Sequence, residues 1–544
     1  MDPFRAILAA APLAWRDWSA ATRAEAITEG KPLLLVCGEA CDHWSAVLAA
    51  ELAADAEVSA FIAEAYLPVA IERLDQPVLA RRLQEVLACC ADATGFPLVA
   101  IATPEGDCVG AVPWLPLRDR DRRPGLARVL VGFAEAWSTD ADALRRDADG
   151  IRARIAAARP PATALRADLQ LDALDAGLVG IADTLEGGFG PAPRSLGTSA
   201  LHFACERLRC GNETLSLRRI AERTALAWLQ GAACDQLGGG VHRGCSDAAW
   251  RAPFAEQRLI DQSQAARAWI AAAEALDQEV LAVAAMRCLR WTVDHLRRDD
   301  GRFVAGFHAD APDADGRPRE AVHLTWTVAE IEALVGQEAA DLIAERFDLA
   351  GAPLIEGRHP LAIRQPLDAA EGPRLAAALQ RLAVARSERP RPLRDERSDR
   401  AGEGLLLTAL ADLRDIDETA LVPAGEDLAR RLAAADPAEA RHPGEGAAIA
   451  LGLARWDEDT AAARWLAREE ALLADLDDDD HRRLALDDDR GAAPLAILAE
   501  AGIALGQADR ARDGIAAHAA LLRHPAAAGL GRILTILHHQ GIRA

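Results

Sequence analysis

The chain has 544 residues and carries 61 basic against 84 acidic side chains, a formal net charge of −23 at pH 7. A surface this acidic repels phosphate backbones and argues against nucleic acid as a partner. No run of about 20 apolar residues is present, which argues against a membrane-spanning helix.

The length allows roughly two to four domains. The hydrophobic share is 51% with only 4% aromatic, and Ala, Leu and Arg recur at a period near 3.6, a helical composition. Lys31 is the only lysine, so arginine carries nearly all the positive charge. Ten cysteines are scattered without the close pairs of a zinc ribbon. The first residues, MDPFRAILAAAPLAW, lack a basic n-region and a long apolar core. Reduced thiols and a cytoplasmic location are the expectation.

Residues 1–123 alternate strand and helix signals. The segment Lys31 to Ser45, KPLLLVCGEACDHWS, contains an apolar run, Leu33 to Val36, that predicts a buried strand. A turn at Gly38 follows, then a helix opening near Asp42, a residue suited to its N-cap. Further strands are expected at Tyr66–Ile71, Leu98–Thr103 and Cys108–Val112, with helices at Ser45–Glu64 and Val78–Ala91. Thr103-Pro-Glu-Gly106 predicts a hairpin turn. Gly125 to Ala157 reads as a connecting helix ending at Arg159-Pro160-Pro161. The expected organisation is therefore residues 1–123, a connecting stretch 124–161, and a helical domain 162–544. In that last part helical blocks alternate with loops at Glu186–Pro193, Gly238–Pro253, Asp299–Pro318, Glu388–Gly404 and Leu476–Asp489. Paired helices of this number suit an (α/α)6 toroid. A solenoid is the rival, but no fixed repeat favours it.

The strand order and the Leu33–Ser45 segment resemble a thioredoxin-like fold. Such folds open the active-site helix with Cys-x-x-Cys, because the helix N-terminus favours a thiolate. Here the four residues are Asp42, His43, Trp44 and Ser45, so dithiol exchange at that position is excluded. Pro97, just ahead of the third strand, stands where these folds place a cis-proline facing the helix.

With Trp15-Arg-Asp-Trp18, Lys31-Pro32, His43-Trp44, Phe96-Pro97-Leu98, Gly187-Gly-Phe-Gly190 and Asp235 to Arg243 in this order, the chain as a whole resembles the family of thioredoxin-domain proteins that includes spermatogenesis-associated protein 20. That family joins a thioredoxin-like domain to a six-hairpin glycosidase-like toroid. The likeness rests on Trp15-Arg-Asp-Trp18, Lys31-Pro32, His43-Trp44, Phe96-Pro97-Leu98, Thr103-Pro-Glu-Gly106 and Ala134-Glu-Ala-Trp137. It continues through Gly187-Gly-Phe-Gly190, Ala192-Pro-Arg194, Asp235 to Arg243, Trp250, Pro253, Glu256, Asp261, Gln264 and Trp326-Thr327, and weakens after about residue 335. Against the family pattern Cys-His-Trp-Cys-His, this chain has Asp42-His43-Trp44-Ser45-Ala46. Gly306-Phe307-His308 and Pro312-Asp313-Ala314-Asp315 also depart from it, as does Ala401-Gly402-Glu403-Gly404.

The candidate residues fall into three groups. Cys41, Asp42, Ser45 and Pro97 are remnants of the redox position. Cys41 acts as a lone thiol if the helix tip and His43 lower its pKa, yet Asp42 opposes this, and a small residue in a turn is the plainer reading. Asp235, Gly239, Gly240, Arg243 and Trp326 form a candidate ligand-binding set: glycines admit close backbone approach and Arg243 supplies an anion fork. His242, Glu256, Asp261 and Asp310 are candidate catalytic groups for sugar chemistry, with Asp313, His308 and His323 also available. The same loop read structurally only ties helix ends together. Cys89 and Cys90 read as packing residues, as do Trp250, Trp269, Trp291 and Trp326. Asp477–Asp480 and Asp487–Asp489 lack the spacing of a calcium loop, so no metal and no cofactor is expected.

The leading functional expectation is a non-redox binding or structural module, with a small polar or sugar-like ligand or a protein partner. The alternatives are a carbohydrate-active enzyme, epimerase- or glycosidase-like, and a monothiol redox or chaperone role through Cys41.

Overall fold

The apolar run Leu33–Gly38 (β1) is buried at every position, which makes it a central strand. The computed structural model describes residues 3–540 apart from 121, 159–166, 213, 348, 366–370, 415–420, 441, 486–492, 517, 519–520 and 523. Arg159-Pro160-Pro161 and Asp487–Asp489 lie outside the described residues. The chain divides into two units, Met1–Pro161 and Ala162–Ala544.

In the first unit β1 pairs in parallel with Leu67–Glu72 (β2) and antiparallel with Leu98–Ala102 (β3). Strand β3 pairs with Cys108–Pro113 (β4), giving the order β2-β1-β3-β4. Arg16 bridges Val69 in parallel on the outer side of β2, which completes the strand order of a thioredoxin-like sheet. The helices are Pro3–Leu8 (α1), Ala20–Glu29 (α2), His43–Ala54 (α3), Ala56–Ala65 (α4), Pro77–Ala91 (α5) and Leu126–Ala157 (α6).

Two differences from the sequence expectation have local causes. The single helix expected at Ser45–Glu64 is two, because Asp55 leaves helical geometry and accepts the Val58 N–H at 3.0 Å to cap the second. Helix α6 is likewise kinked at Asp140 (φ −152°, ψ 78°), whose carboxylate accepts from Ala143 N–H at 2.9 Å. The lone tyrosine, Tyr66, is buried and donates to the Leu130 carbonyl of α6 at 2.5 Å. Cys89 is half-buried, but Cys90 is exposed and so is not a packing residue.

The second unit is a closed ring of six inner helices: Thr198–Arg209 (α8), Leu259–Leu276 (α10), Arg400–Arg414 (α15), Glu445–Arg455 (α17), Pro494–Ala504 (α20) and Ala528–His539 (α22). Each packs on the next, and α22 returns to α8. Six outer helices cover them: Ala167–Ile181 (α7), Leu215–Gln230 (α9), Glu279–Leu296 (α11), Val422–Ala434 (α16), Asp459–Ala474 (α18) and Ala508–Ala516 (α21). This is an (α/α)6 toroid. Inner helices such as α10 and α17 are buried around nearly their whole circumference, which explains their Ala-rich, weakly amphipathic sequences.

Between α11 and α15 the chain leaves the ring to form Val328–Val335 (α12), Gln337–Phe347 (α13) and Gly372–Ser387 (α14), which share their own apolar core. Loops expected from sequence carry short strands here. Arg194–Ser195 (β5) pairs with Gly244–Cys245 (β6), and Gln257–Arg258 (β7) with Val304–Phe307 (β8). Asp310–Pro312 (β9) pairs with Pro318–Glu320 (β10), and β8 also pairs with Arg394–Ser398 (β11). Ala401-Gly402-Glu403-Gly404 opens α15 rather than ending a loop. Gly404 fits because a Cβ there would meet the Ala448 backbone at 2.4 Å.

At the heart of the ring Arg267 of α10, only 4% exposed, contacts Asp412 of α15 at 2.8 Å and Glu500 of α20 at 2.7 Å. Glu500 also pairs with Arg532 of α22, and Asp412 with Arg455 of α17 at 3.0 Å. Replacing Arg267 by Ala leaves two largely buried carboxylates short of a partner. The expected loss is about 3–5 kcal/mol of stability in the helical unit, measured by thermal or urea unfolding followed by circular dichroism.

Candidate functional site

The position that would carry a dithiol is built from oxygen and nitrogen. Asp42 caps α3, accepting from Ser45 N–H at 2.7 Å, and Ser45 Oγ accepts from Glu39 N–H at 3.3 Å. Gly38 is held glycine-small because a Cβ would meet Phe4 and Ser45 at 2.7 Å. Glu39 and Arg73 form an ion pair at 2.7 Å with side chains 3% and 7% exposed. Glu72 accepts from Ala40 N–H at 3.1 Å. The Arg73 guanidinium lies 4.8 Å over the Phe96 ring, and the Phe96–Pro97 peptide is cis. Cys37 and Cys41 are both buried, so the reading of Cys41 as a reactive remnant meets a side chain 2% exposed. What reaches the surface at this tip is aromatic: Trp44, 39% exposed, lies 4.3 Å from Trp114 with the rings tilted at 46°.

In the helical unit the Asp235–Arg243 loop lies on α10. The Gln262 amide holds it from both sides, accepting from Val241 N–H at 2.7 Å and donating to Val241 C=O at 2.6 Å. Gly239 takes φ +93°, and a Cβ on Gly240 would meet the Trp291 ring at 2.6 Å. Gly240 thus admits the protein's own tryptophan and Gly239 lies against Arg287, where the sequence reading had them approach a ligand.

Beneath this loop is a cavity of about 160 Å³. Asp235 lines it and pairs with Arg386 of α14 at 2.7 Å. Burial acts to raise the Asp235 pKa, but Arg386 outweighs it and holds the carboxyl at about 2. Trp291 lines the cavity with its ring stacked on His295 (5.2 Å, 14°) and edge-on to Phe307 (6.1 Å, 60°). His295 Nδ1 lies 2.9 Å from the Trp291 carbonyl, and His323 Nδ1 lies 3.0 Å from the Pro390 carbonyl. A carbonyl only accepts, so both rings carry their proton on Nδ1 and keep Nε2 as the basic atom. Burial, reinforced by Arg386, pushes His323 down to about 4, so it is neutral at pH 7. Gln257 of β7, Ser387 and Arg391 complete the polar lining.

The predicted residues are only partly gathered here. His242 is buried, its pKa lowered by burial against the opposing charges of Asp235 and Glu256, and it lines a smaller pocket that shares Asp235. Arg243 contacts Glu256 at 3.3 Å and stacks 4.0 Å from Phe254. Asp261 is paired with Arg258 at 2.6 Å, and Asp310 sits in the β9–β10 hairpin; neither lines the cavity. Trp326 is fully buried beneath Arg389 in the α12–α14 core, so it is an anchor and not a ligand platform. Trp291 packs in the core as expected and also forms a cavity wall, and Gln257, His295, Phe307, Arg386 and Arg391 were not singled out for the site. The Trp291/His295 pair does carry a signal, i and i+4 on one helix face.

Because the folded Asp235 carboxyl titrates below its ordinary value, its stabilisation is complete above about pH 4 and fades as pH falls towards 2. That lowering corresponds to about 2 kcal/mol. Asp235→Asn is expected to lose this amount at neutral pH and to flatten the acid limb of a stability-against-pH curve, measured by urea unfolding.

Residues 2–156 match the profile of a family described as protein of unknown function, DUF255, named Thioredox_DsbH. Spermatogenesis-associated protein 20 from Homo sapiens is 24% identical over 442 residues, covering 74% of this chain and 56% of that protein. The protein of the same name from Rattus norvegicus is 23% identical over the same shares. The chain thus spans little more than half the length of these relatives. Among solved structures, cellobiose 2-epimerase from Spirochaeta thermophila DSM 6192 aligns at 15% identity over 68% of this chain and 98% of that one, with TM-score 0.27. Cellobiose 2-epimerase from Bacillus thermoamylovorans B4167 aligns at 11% identity over 60% and 89%, also with TM-score 0.27. The ordered series of motifs from Trp15 to Trp326, the family profile over residues 2–156 and relatives aligned along 74% of the chain agree: the chain is similar to the thioredoxin-domain proteins that include spermatogenesis-associated protein 20.

Proposed function

We infer that the toroid unit binds a small polar, ring-bearing ligand in the cavity beneath the Asp235–Arg243 loop, and that the thioredoxin-like unit is a binding or structural module without dithiol exchange. One observation carries the first half. Within a single cavity, aromatic walls at Trp291 and Phe307 meet two imidazoles whose Nδ1 atoms are committed to backbone carbonyls. Apolar walls with a few fixed polar groups are the usual form of a small-molecule site. The second half is supported by the Glu39–Arg73 pair and the Asp42 cap, which occupy the helix tip where a redox pair would stand. Ten cysteines without the spacing of a disulfide framework suit a reducing compartment such as the cytoplasm, and no described helix is long and apolar enough to cross a membrane.

A second reading, proton transfer at a sugar-like carbon as in epimerisation, is favoured by the two imidazoles, His295 and His323, in one cavity, each with Nδ1 on a backbone carbonyl and Nε2 left to accept. It replaces the set His242, Glu256, Asp261 and Asp310, whose acids are bound to Arg243 and Arg258 or lie in a separate hairpin. The Cys41 alternative has little support, since that thiol is buried.

An insulin-reduction assay with dithiothreitol should show turnover no faster than without the protein. Iodoacetamide should label Cys90 well before Cys41, read by peptide mass spectrometry. Robust reductase turnover, or Cys41 labelled as fast as Cys90, would sink the non-redox reading.

A further inference from the structure

Two polar groups of the cavity are left unused by the protein itself. Gln257 is 5% exposed, and its amide Nε2 has no hydrogen-bond partner among the described residues. A buried donor without an acceptor is costly and rare, and in a cavity wall it points to a ligand that supplies the acceptor. Arg391, at the exposed rim of the same cavity, forms no ion pair among the described residues.

The charge balance adds a direction. The chain carries −23 overall, yet the charged groups lining this cavity are one carboxylate, Asp235, and two guanidiniums, Arg386 and Arg391. Asp235 and Arg386 neutralise one another at 2.7 Å, so Arg391 leaves the cavity with an uncompensated positive charge. Local potential of this sign on an acidic protein selects for an anion.

We propose that the ligand of this cavity is an anionic sugar-like molecule, a sugar acid or a sugar phosphate. Its ring lies against Trp291 and Phe307, a ring oxygen accepts from the Gln257 amide, and its carboxylate or phosphate is held by Arg391. A guanidinium suits either anion because its fork donates two parallel hydrogen bonds. The proposal rests on the reading of the cavity as a ligand site, and adds to it the charge of the occupant.

The test is isothermal titration calorimetry of the whole chain with D-glucose, D-glucuronate and D-glucose 6-phosphate. At least one anion should bind about tenfold or more tightly than glucose, the value of one charge-assisted hydrogen bond. The preferred anion identifies the group as carboxylate or phosphate. Arg391→Gln should bring that anion down to the affinity of glucose; Arg391 is exposed and unpaired, so folding is not at stake. Gln257→Leu should weaken all the sugars that bind, by about tenfold. Equal binding of glucose and both anions, or a preference that survives Arg391→Gln, overturns this inference and leaves the cavity as a ligand site. Failure of all three compounds to bind overturns both.

Discussion

The helical unit is organised around one buried guanidinium. Arg267 contacts carboxylates on two other inner helices, and through Arg455 and Arg532 the same network reaches two more. Five of the six inner helices therefore share one set of charges. The sixth, α8, brings His202 to the small pocket lined by Arg267, Glu500 and Arg532. A buried charge is tolerable only with its counter-charges in place, and the Arg267–Glu500 pair joins inner helices that are not neighbours in the ring, so it forms only when the ring has closed. Arg267 and Glu500 are 233 residues apart in the chain. That separation makes the network a constraint on topology as much as a source of stability.

The thioredoxin-like unit keeps the scaffold and changes what the helix tip does. In such folds the positive end of the helix stabilises a thiolate. Here the same field holds the Asp42 carboxylate as a cap, and the space around it is filled by Glu39, Arg73 and Glu72. A carboxylate engaged with backbone N–H groups and a hydroxyl accepting from Glu39 cannot exchange electrons. These polar groups fill the tip, and its exposed aromatic is Trp44, which lies 4.3 Å from the half-buried Trp114.

Much of the architecture was legible from local pattern. Four strands and the turn at Gly106 lie within a residue or two of where apolar runs and turn residues place them. The Asp42 cap was readable because capping involves residues three apart. The short strands β7, β8 and β11 were not, since each has only two to five residues and takes its pairing from distant segments. The candidate site was half legible. The Asp235–Arg243 loop stood out by its glycines, but its role differs from the expectation: Gly240 makes room for Trp291. Asp261 and Asp310 looked available because a sequence does not show that Arg258 or a hairpin has claimed them.

By itself the sequence determined the local chemistry of this protein: where strands and helices begin, which caps start them, and that sulfur is missing from both ends of the Asp42–Ser45 segment. Tertiary structure alone decided which groups share a cavity. Arg386 reaches Asp235 across 151 residues because the chain leaves the ring after α11, folds α12 to α14 around their own core, and returns. Helix periodicity and capping are short-range effects written within a few residues. A pocket is made where surfaces from remote segments fail to fill space completely, and that depends on packing over the whole unit.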